Sequence, residues 1–249
     1  MRETQITINQ YFELMTNHSK NPLRTTFAWC WLAVTGILSC GLEQSQEKNS
    51  QASEKAENGA FRILILGDSL TEGYGVPEGD AYPALLETKL NRELAPETGL
   101  RYEVVNGGIS GATTSGGVSR IEWFLRSRPD FMVLALGGND GLRGIPVPEM
   151  KKNLALILRA ADENKIPTLL AGMKMPPNYG LSYAESYAKA FQEVAGQFEV
   201  PLIPFLLDGV GGMPEMNLPD RIHPNSRGHR VICETVYKAL SPALYSNEP

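Results

Sequence analysis

Cysteine and histidine are both scarce in this chain, three of each among 249 residues, and their placement excludes several kinds of chemistry. Cys30, Cys40 and Cys233 lie far apart in the sequence, and the two histidines of the domain are both assigned other places below, so no metal site is expected. With Cys30 removed and Cys40 modified, as argued below, Cys233 is the remaining thiol, which excludes a disulfide within the folded domain. It sits beside Val231 and Ile232 and reads as a small core residue. Basic residues are not in excess either. Lys and Arg number 23 against 28 Asp and Glu, a net charge of −5, and the two signs are interspersed, which argues against a nucleic-acid partner. The chain has no internal repeat, and its most apolar run, Thr25 to Cys40, is short for a membrane span.

What the chain does have is 42% hydrophobic content in a regular alternation of strand and helix signals from residue 61 onward, which reads as one domain. Apolar runs predict strands at 61–66, 102–105, 131–136, 167–171 and 201–205, and amphipathic patterns predict helices near 80–95, 114–127, 148–164, 182–197 and 225–240. This alternation predicts an α/β fold with a parallel sheet and helices on both faces.

The first strand runs directly into Gly67-Asp68-Ser69-Leu70. A side chain on the first turn beyond a strand of an open α/β sheet projects into the ligand crevice, so Ser69 is placed as a nucleophile. A serine hydroxyl needs a base, a group to orient that base, and donors for the oxyanion. His18 precedes the segment expected to be removed, which leaves His223 and His229. His223, in Asp220-Arg221-Ile222-His223-Pro224-Asn225, falls on a loop, with Asn225 or Ser226 placed to cap the helix that follows. Asp220, three residues earlier, can reach Nδ1 and leave Nε2 to accept the serine proton. His229 falls inside the helix and reads as a packing or surface residue. Two further strand ends carry Asn106-Gly107-Gly108-Ile109-Ser110-Gly111 and Gly137-Gly138-Asn139-Asp140, which serve equally as tight turns or as sources of oxyanion donors.

Taken in order, Gly67-Asp68-Ser69-Leu70, Gly111, Gly137-Gly138-Asn139-Asp140 and Asp220-x-x-His223-Pro224 resemble the sequence blocks of the GDSL or SGNH hydrolases. The strings 138–144, 175–180 and 200–205 are similar to the bacterial arylesterase and acyl-CoA thioesterase I branch, also described as lysophospholipases. The resemblance implies a doubly wound, flavodoxin-like sheet of five strands. It implies Ser69 as nucleophile, His223 as base and Asp220 as its orienter, with an oxyanion hole from the Ser69 and Gly111 N–H groups and the Asn139 side chain. Many relatives carry an acidic residue after the oxyanion glycine, where this chain has Ala112. The Gly-x-Ser-x-Gly turn of ordinary α/β-hydrolases is lacking. The expected activity is cofactor-free cleavage of small acyl esters or thioesters by a monomer. A carbohydrate O-deacetylase and a non-catalytic, surface-tethered binding module stand as alternatives. Arg143 and Tyr179 fall on loops bordering the crevice, where shaping a substrate pocket and plain loop packing are equally open.

Upstream, the Thr25–Cys40 run follows Lys20 and Arg24 and ends in Ile37-Leu38-Ser39-Cys40-Gly41, which resembles a bacterial lipobox. Residues 1–39 are therefore expected to be a lipoprotein-type signal peptide, with translation starting at Met1 or Met15. Cys40 is then the lipidated N-terminus, and residues to 60, rich in Gln, Glu, Ser and Lys, are a flexible linker. The hydrolase domain is placed at 61–242 and a tail at 243–249. The expected location is the periplasmic or cell-surface side of a membrane, held there through Cys40.

Overall fold

A computed structural model describes residues 59–245, so the expected signal peptide, Cys40 and the linker up to residue 58 lie outside the described residues. The elements run β1 (Phe61–Gly67), α1 (Ser69–Glu72), α2 (Tyr82–Glu93), α3 (Ala95–Thr98), β2 (Tyr102–Gly108), α4 (Thr114–Leu125), β3 (Phe131–Ala135), α5 (Gly138–Leu142), α6 (Val147–Glu163), β4 (Thr168–Ala171), α7 (Leu181–Phe198), β5 (Leu202–Ile203) and α8 (Ser226–Tyr245). The five strands are all parallel in the order β2-β1-β3-β4-β5, the flavodoxin-like arrangement the resemblance implied. Among the described residues no helix is long and apolar enough to cross a membrane.

The apolar run of β1 has a physical cause in this topology. Successive strand side chains point to opposite faces, yet Ile63, Leu64, Ile65 and Leu66 are all buried, so both faces of the sheet are covered. The cover is a row of α4, α6 and α7 and a pair formed by α2 and α8. Each such Leu or Ile contributes roughly 1.5–3 kcal/mol by leaving water.

The structure departs from the sequence reading at element ends. β2 does not stop at Val105. Asn106, Gly107 and Gly108 continue the ladder against Ile65, Leu66 and Gly67, so this glycine-rich segment is strand rather than turn. Its glycines are needed for close packing: a Cβ on Gly108 would lie 2.1 Å from the Glu72 backbone nitrogen, where α1 crosses the strand. β5 shrinks to Leu202–Ile203 because Pro201 and Pro204 bound it and neither can donate to a ladder. At the other end, α8 runs through Pro242 to Tyr245, past the boundary placed at 242, and keeps Leu240 and Leu244 buried on one face.

Candidate active site

The carboxyl ends of β1, β2 and β3 open on one crevice, and the chain changes winding direction at β1, where such a sheet binds ligands. Beyond β1, Asp68 caps α1: its Oδ1 accepts the Leu70 N–H at 3.0 Å, and its carbonyl accepts those of Thr71 and Glu72. Ser69, at the first position of that helix, is nearly buried. The Arg120 guanidinium donates to the Gly67 carbonyl at 2.6 Å and steadies the strand end just ahead of this turn.

The loop after β5 brings the partners. His223 Nε2 lies 3.0 Å from Ser69 Oγ, and His223 Nδ1 lies 2.7 Å from Asp220 Oδ2. The other Asp220 oxygen accepts the N–H groups of Ile222 and His223 at 2.9 and 3.0 Å. Those bonds, led by the His223 N–H, hold the Asp220 carboxyl down at about 2, so it stays ionised across neutral and mildly acidic pH. The loop is pinned by an antiparallel bridge between Asn217 and Pro224, with Leu218 N–H donating to the His223 carbonyl at 2.7 Å. Asn225 Oδ1 caps α8 by accepting from the Arg227 and Gly228 N–H groups.

The remaining candidates divide. Asn139, on α5, points its amide nitrogen into the same corner, donating to the Ala112 carbonyl at 3.0 Å and standing 3.4 Å from Asp68 Oδ2. Gly111 occupies the facing turn at φ +76°, a conformation that favours glycine. Asp140 is fully buried and accepts from the Thr114 N–H and hydroxyl at 2.9 and 2.5 Å, tying α5 to the start of α4. His229 is fully buried, with Nδ1 accepting the Tyr82 N–H at 3.2 Å, and burial pushes its pKa down to about 4. It is a core residue away from Ser69.

A cavity of about 540 Å³ adjoins Ser69 and His223, lined largely by apolar side chains including Leu142, Met173, Met175, Phe205, Leu207 and Ile222. Arg143 and Tyr179 are not among its lining residues. Arg143 instead donates to the Gly111 carbonyl at 3.0 Å, and Tyr179 lies on an exposed 3-10 turn at Pro177–Tyr179.

Three site features escaped the sequence reading. Tyr74 packs its ring on the His223 imidazole, centroids 4.4 Å apart and tilted by 40°. Asp68 is buried, and burial pushes its carboxyl up to about 6 against the pull of the Leu70 N–H and His223. Glu72 bonds Ser110, supplying a carboxylate to the loop whose own following residue is Ala112. Only Asp68 had a local signal, as an N-cap residue before a short helix.

A model of the GDSL-like lipase/acylhydrolase family matches residues 65–231. The chain belongs to that family. Esterase TesA of Pseudomonas aeruginosa is 38% identical over 186 residues, 74% of this chain and 90% of that protein. Thioesterase 1/protease 1/lysophospholipase L1 of Escherichia coli K12 is 35% identical over 186 residues, 74% of this chain and 86% of its own length. A crystal structure of TesA superposes with a TM-score of 0.69 at 37% identity, covering 73% of this chain and 98% of the other. As a family member the chain carries the SGNH hydrolase fold.

Proposed function

We propose that this protein is a serine esterase or thioesterase that acts, as a monomer, on small acyl esters or thioesters through an acyl-enzyme on Ser69. The observation that carries the reading is the hydrogen-bonded series Ser69 Oγ, His223 Nε2, His223 Nδ1 and Asp220 Oδ2, at 3.0 and 2.7 Å. His223 takes the Ser69 proton as Oγ bonds to the carbonyl carbon, and Asp220 orients the ring and offsets the charge of the imidazolium. The Ser69 and Gly111 N–H groups and Asn139 Nδ2 receive the oxyanion. Its collapse breaks the bond to the alcohol or thiol, which leaves with the proton from His223. His223 then deprotonates a water that attacks the acyl carbon, and a second collapse returns Ser69.

The apolar cavity supports an acyl chain over a sugar ring, whose hydroxyls need polar partners when buried, so the O-deacetylase reading is the weaker one. A panel of p-nitrophenyl esters and acyl-CoAs of graded chain length tests the proposal. Turnover of both classes supports it, and no turnover by folded protein returns the binding-module reading.

Asn139→Ala is expected to lower kcat by roughly 10²- to 10³-fold with little change in KM, because a donor aimed at the oxyanion acts mainly in the transition state. Asp140→Asn is the control. Its carboxylate serves the Thr114 N–H and hydroxyl, so it should lower Tm more than kcat. Steady-state kinetics and thermal melts on both variants check this, and a loss at Asn139 expressed wholly in KM contradicts the oxyanion role.

Cys40 is proposed as the lipidated N-terminus of an exported, membrane-held protein. The support is an apolar run with basic flanks that ends at Cys40 and gives way to a polar stretch. Two or more acyl chains are needed for stable anchoring. Cys40→Ser should leave precursor unprocessed or release protein to the soluble fraction, and mass spectrometry of the wild-type N-terminal peptide should find a lipid-modified cysteine. A mature N-terminus upstream of residue 30 contradicts the reading.

A further inference from the structure

The turn that carries Gly111 is gripped from two sides by charged side chains that the reaction itself does not use. Residues 109–112 close with the Ala112 N–H on the Ile109 carbonyl at 3.0 Å, Gly111 sits at φ +76°, and Ser110 is not among the residues at positive φ. This is the signature of a type II turn, whose third residue has φ of about +80°. The type I turn shares the same closing hydrogen bond and differs by rotating the central peptide through roughly half a turn. That central peptide is Ser110–Gly111, so the choice of turn decides which way the Gly111 N–H points. Glycine at Gly111 admits the type II form, and the flanking peptides keep the same place in either form, so what the rest of the fold must supply is the location of the turn as a whole.

The flanking peptides are held from outside the turn. The Glu72 carboxylate accepts the Ser110 N–H at 2.7 Å and also bonds the Ser110 hydroxyl, fixing the peptide before the central one. The Arg143 guanidinium donates to the Gly111 carbonyl at 3.0 Å, fixing the peptide after it. Asn139 Nδ2 adds a bond to the Ala112 carbonyl at 3.0 Å. Glu72 ends α1, the helix that begins with Ser69, and Arg143 is the C-cap of α5, which carries Asn139. The turn is therefore referenced to the two elements that present the other oxyanion donors. Bonds to ionised groups are stronger than neutral ones, which suits an exposed loop that must keep a fixed place between those two elements.

We propose that Glu72 and Arg143 are positioning residues that hold the 109–112 turn in place against α1 and α5, so that the Gly111 N–H stays within reach of the oxyanion. The proposal rests on the reading of Gly111 as an oxyanion donor. Neither residue touches the reacting atoms. Their removal leaves the donor present but displaced for part of the time, so the loss should be smaller than that for deleting a donor outright.

The test is kinetic and spectroscopic, with every rate referred to active sites titrated by a phosphonate that reacts with Ser69. Glu72→Ala and Arg143→Ala should each lower kcat by roughly 10-fold with KM little changed, below the 10²- to 10³-fold of a lost donor. Glu72→Gln keeps an oxygen acceptor for Ser110 and should recover to within a few-fold of wild type. In ¹⁵N-labelled wild type, phosphonylation of Ser69 should shift the Gly111 amide resonance, and in Glu72→Ala that shift should shrink. If the wild-type Gly111 amide does not respond, the oxyanion reading of Gly111 fails and the proposal with it. If it responds while both alanine variants keep wild-type kcat per active site, the positioning role alone is overturned. A fall in Tm or in titratable sites without a fall in kcat per site also overturns it, since a merely structural role would do just that.

Discussion

Ser69→Ala is expected to abolish ester hydrolysis and leave the fold in place. The nucleophile and its base act as a unit, and losing either costs on the order of 10⁶-fold in kcat in a serine hydrolase. The hydroxyl bonds His223 Nε2 and serves no packing contact that a methyl would lose, while α1 keeps its Asp68 cap and the backbone bonds to the Asp68 carbonyl. Alanine also suits a first helical position. Turnover of a p-nitrophenyl ester, measured beside a thermal melt, is the check. A folded variant with more than a few per cent of wild-type activity removes Ser69 from the role of nucleophile.

His223→Ala should lose activity to a similar extent, whereas His229→Ala should retain most of it and lose stability instead. His229 lies fully buried against Tyr82, so alanine leaves a cavity and strands the Tyr82 N–H, a loss of roughly 1–3 kcal/mol for the unsatisfied donor. His229→Ala also has a signature in pH. Burial holds the His229 pKa near 4, below its ordinary 6.5, so between those values the unfolded chain binds a proton that the folded chain refuses. His229 therefore contributes a loss of stability as pH drops through that window, opposed below about pH 6 by buried Asp68, whose raised carboxyl gains a proton more readily in the folded chain, and His229→Ala should remove the His229 share and tilt the profile toward greater stability at low pH relative to wild type. Denaturant melts from pH 7 to 4 measure the slope. High activity in His223→Ala with loss in His229→Ala would exchange the two assignments.

Both histidines were separable in sequence for a local reason. Pro224 keeps His223 off a helix, and the pattern after Ser226 puts His229 inside one. What no local pattern disclosed is that Tyr74 covers the His223 ring, or that Arg143, read as a loop residue beside the pocket, reaches back to the Gly111 carbonyl instead. Gly107 and Gly108 were legible as special positions but not as strand, because their ladder partners lie in β1 and the crowding that requires glycine comes from β1 and Phe124 at Gly107 and from α1 at Gly108.

The sequence by itself determined the sheet, since apolar runs of strand length between amphipathic helices have one economical packing when both faces must be covered. It also determined which residue types stand at the strand ends, because a motif such as Gly67-Asp68-Ser69-Leu70 is contiguous in the chain. Only the tertiary structure decided the rest. Asp220 and His223 reach Ser69 because the loop after β5 folds across the crevice, and the cavity is apolar because Met173 and Met175 beyond β4 meet Phe205 and Leu207 beyond β5. The turn that carries Gly111 is likewise bonded by Glu72 and Arg143, carried by two other elements. Hydrogen-bond directions and cavity walls are set by backbone placement to within tenths of an ångström, and that placement is a property of the assembled layers rather than of any segment alone.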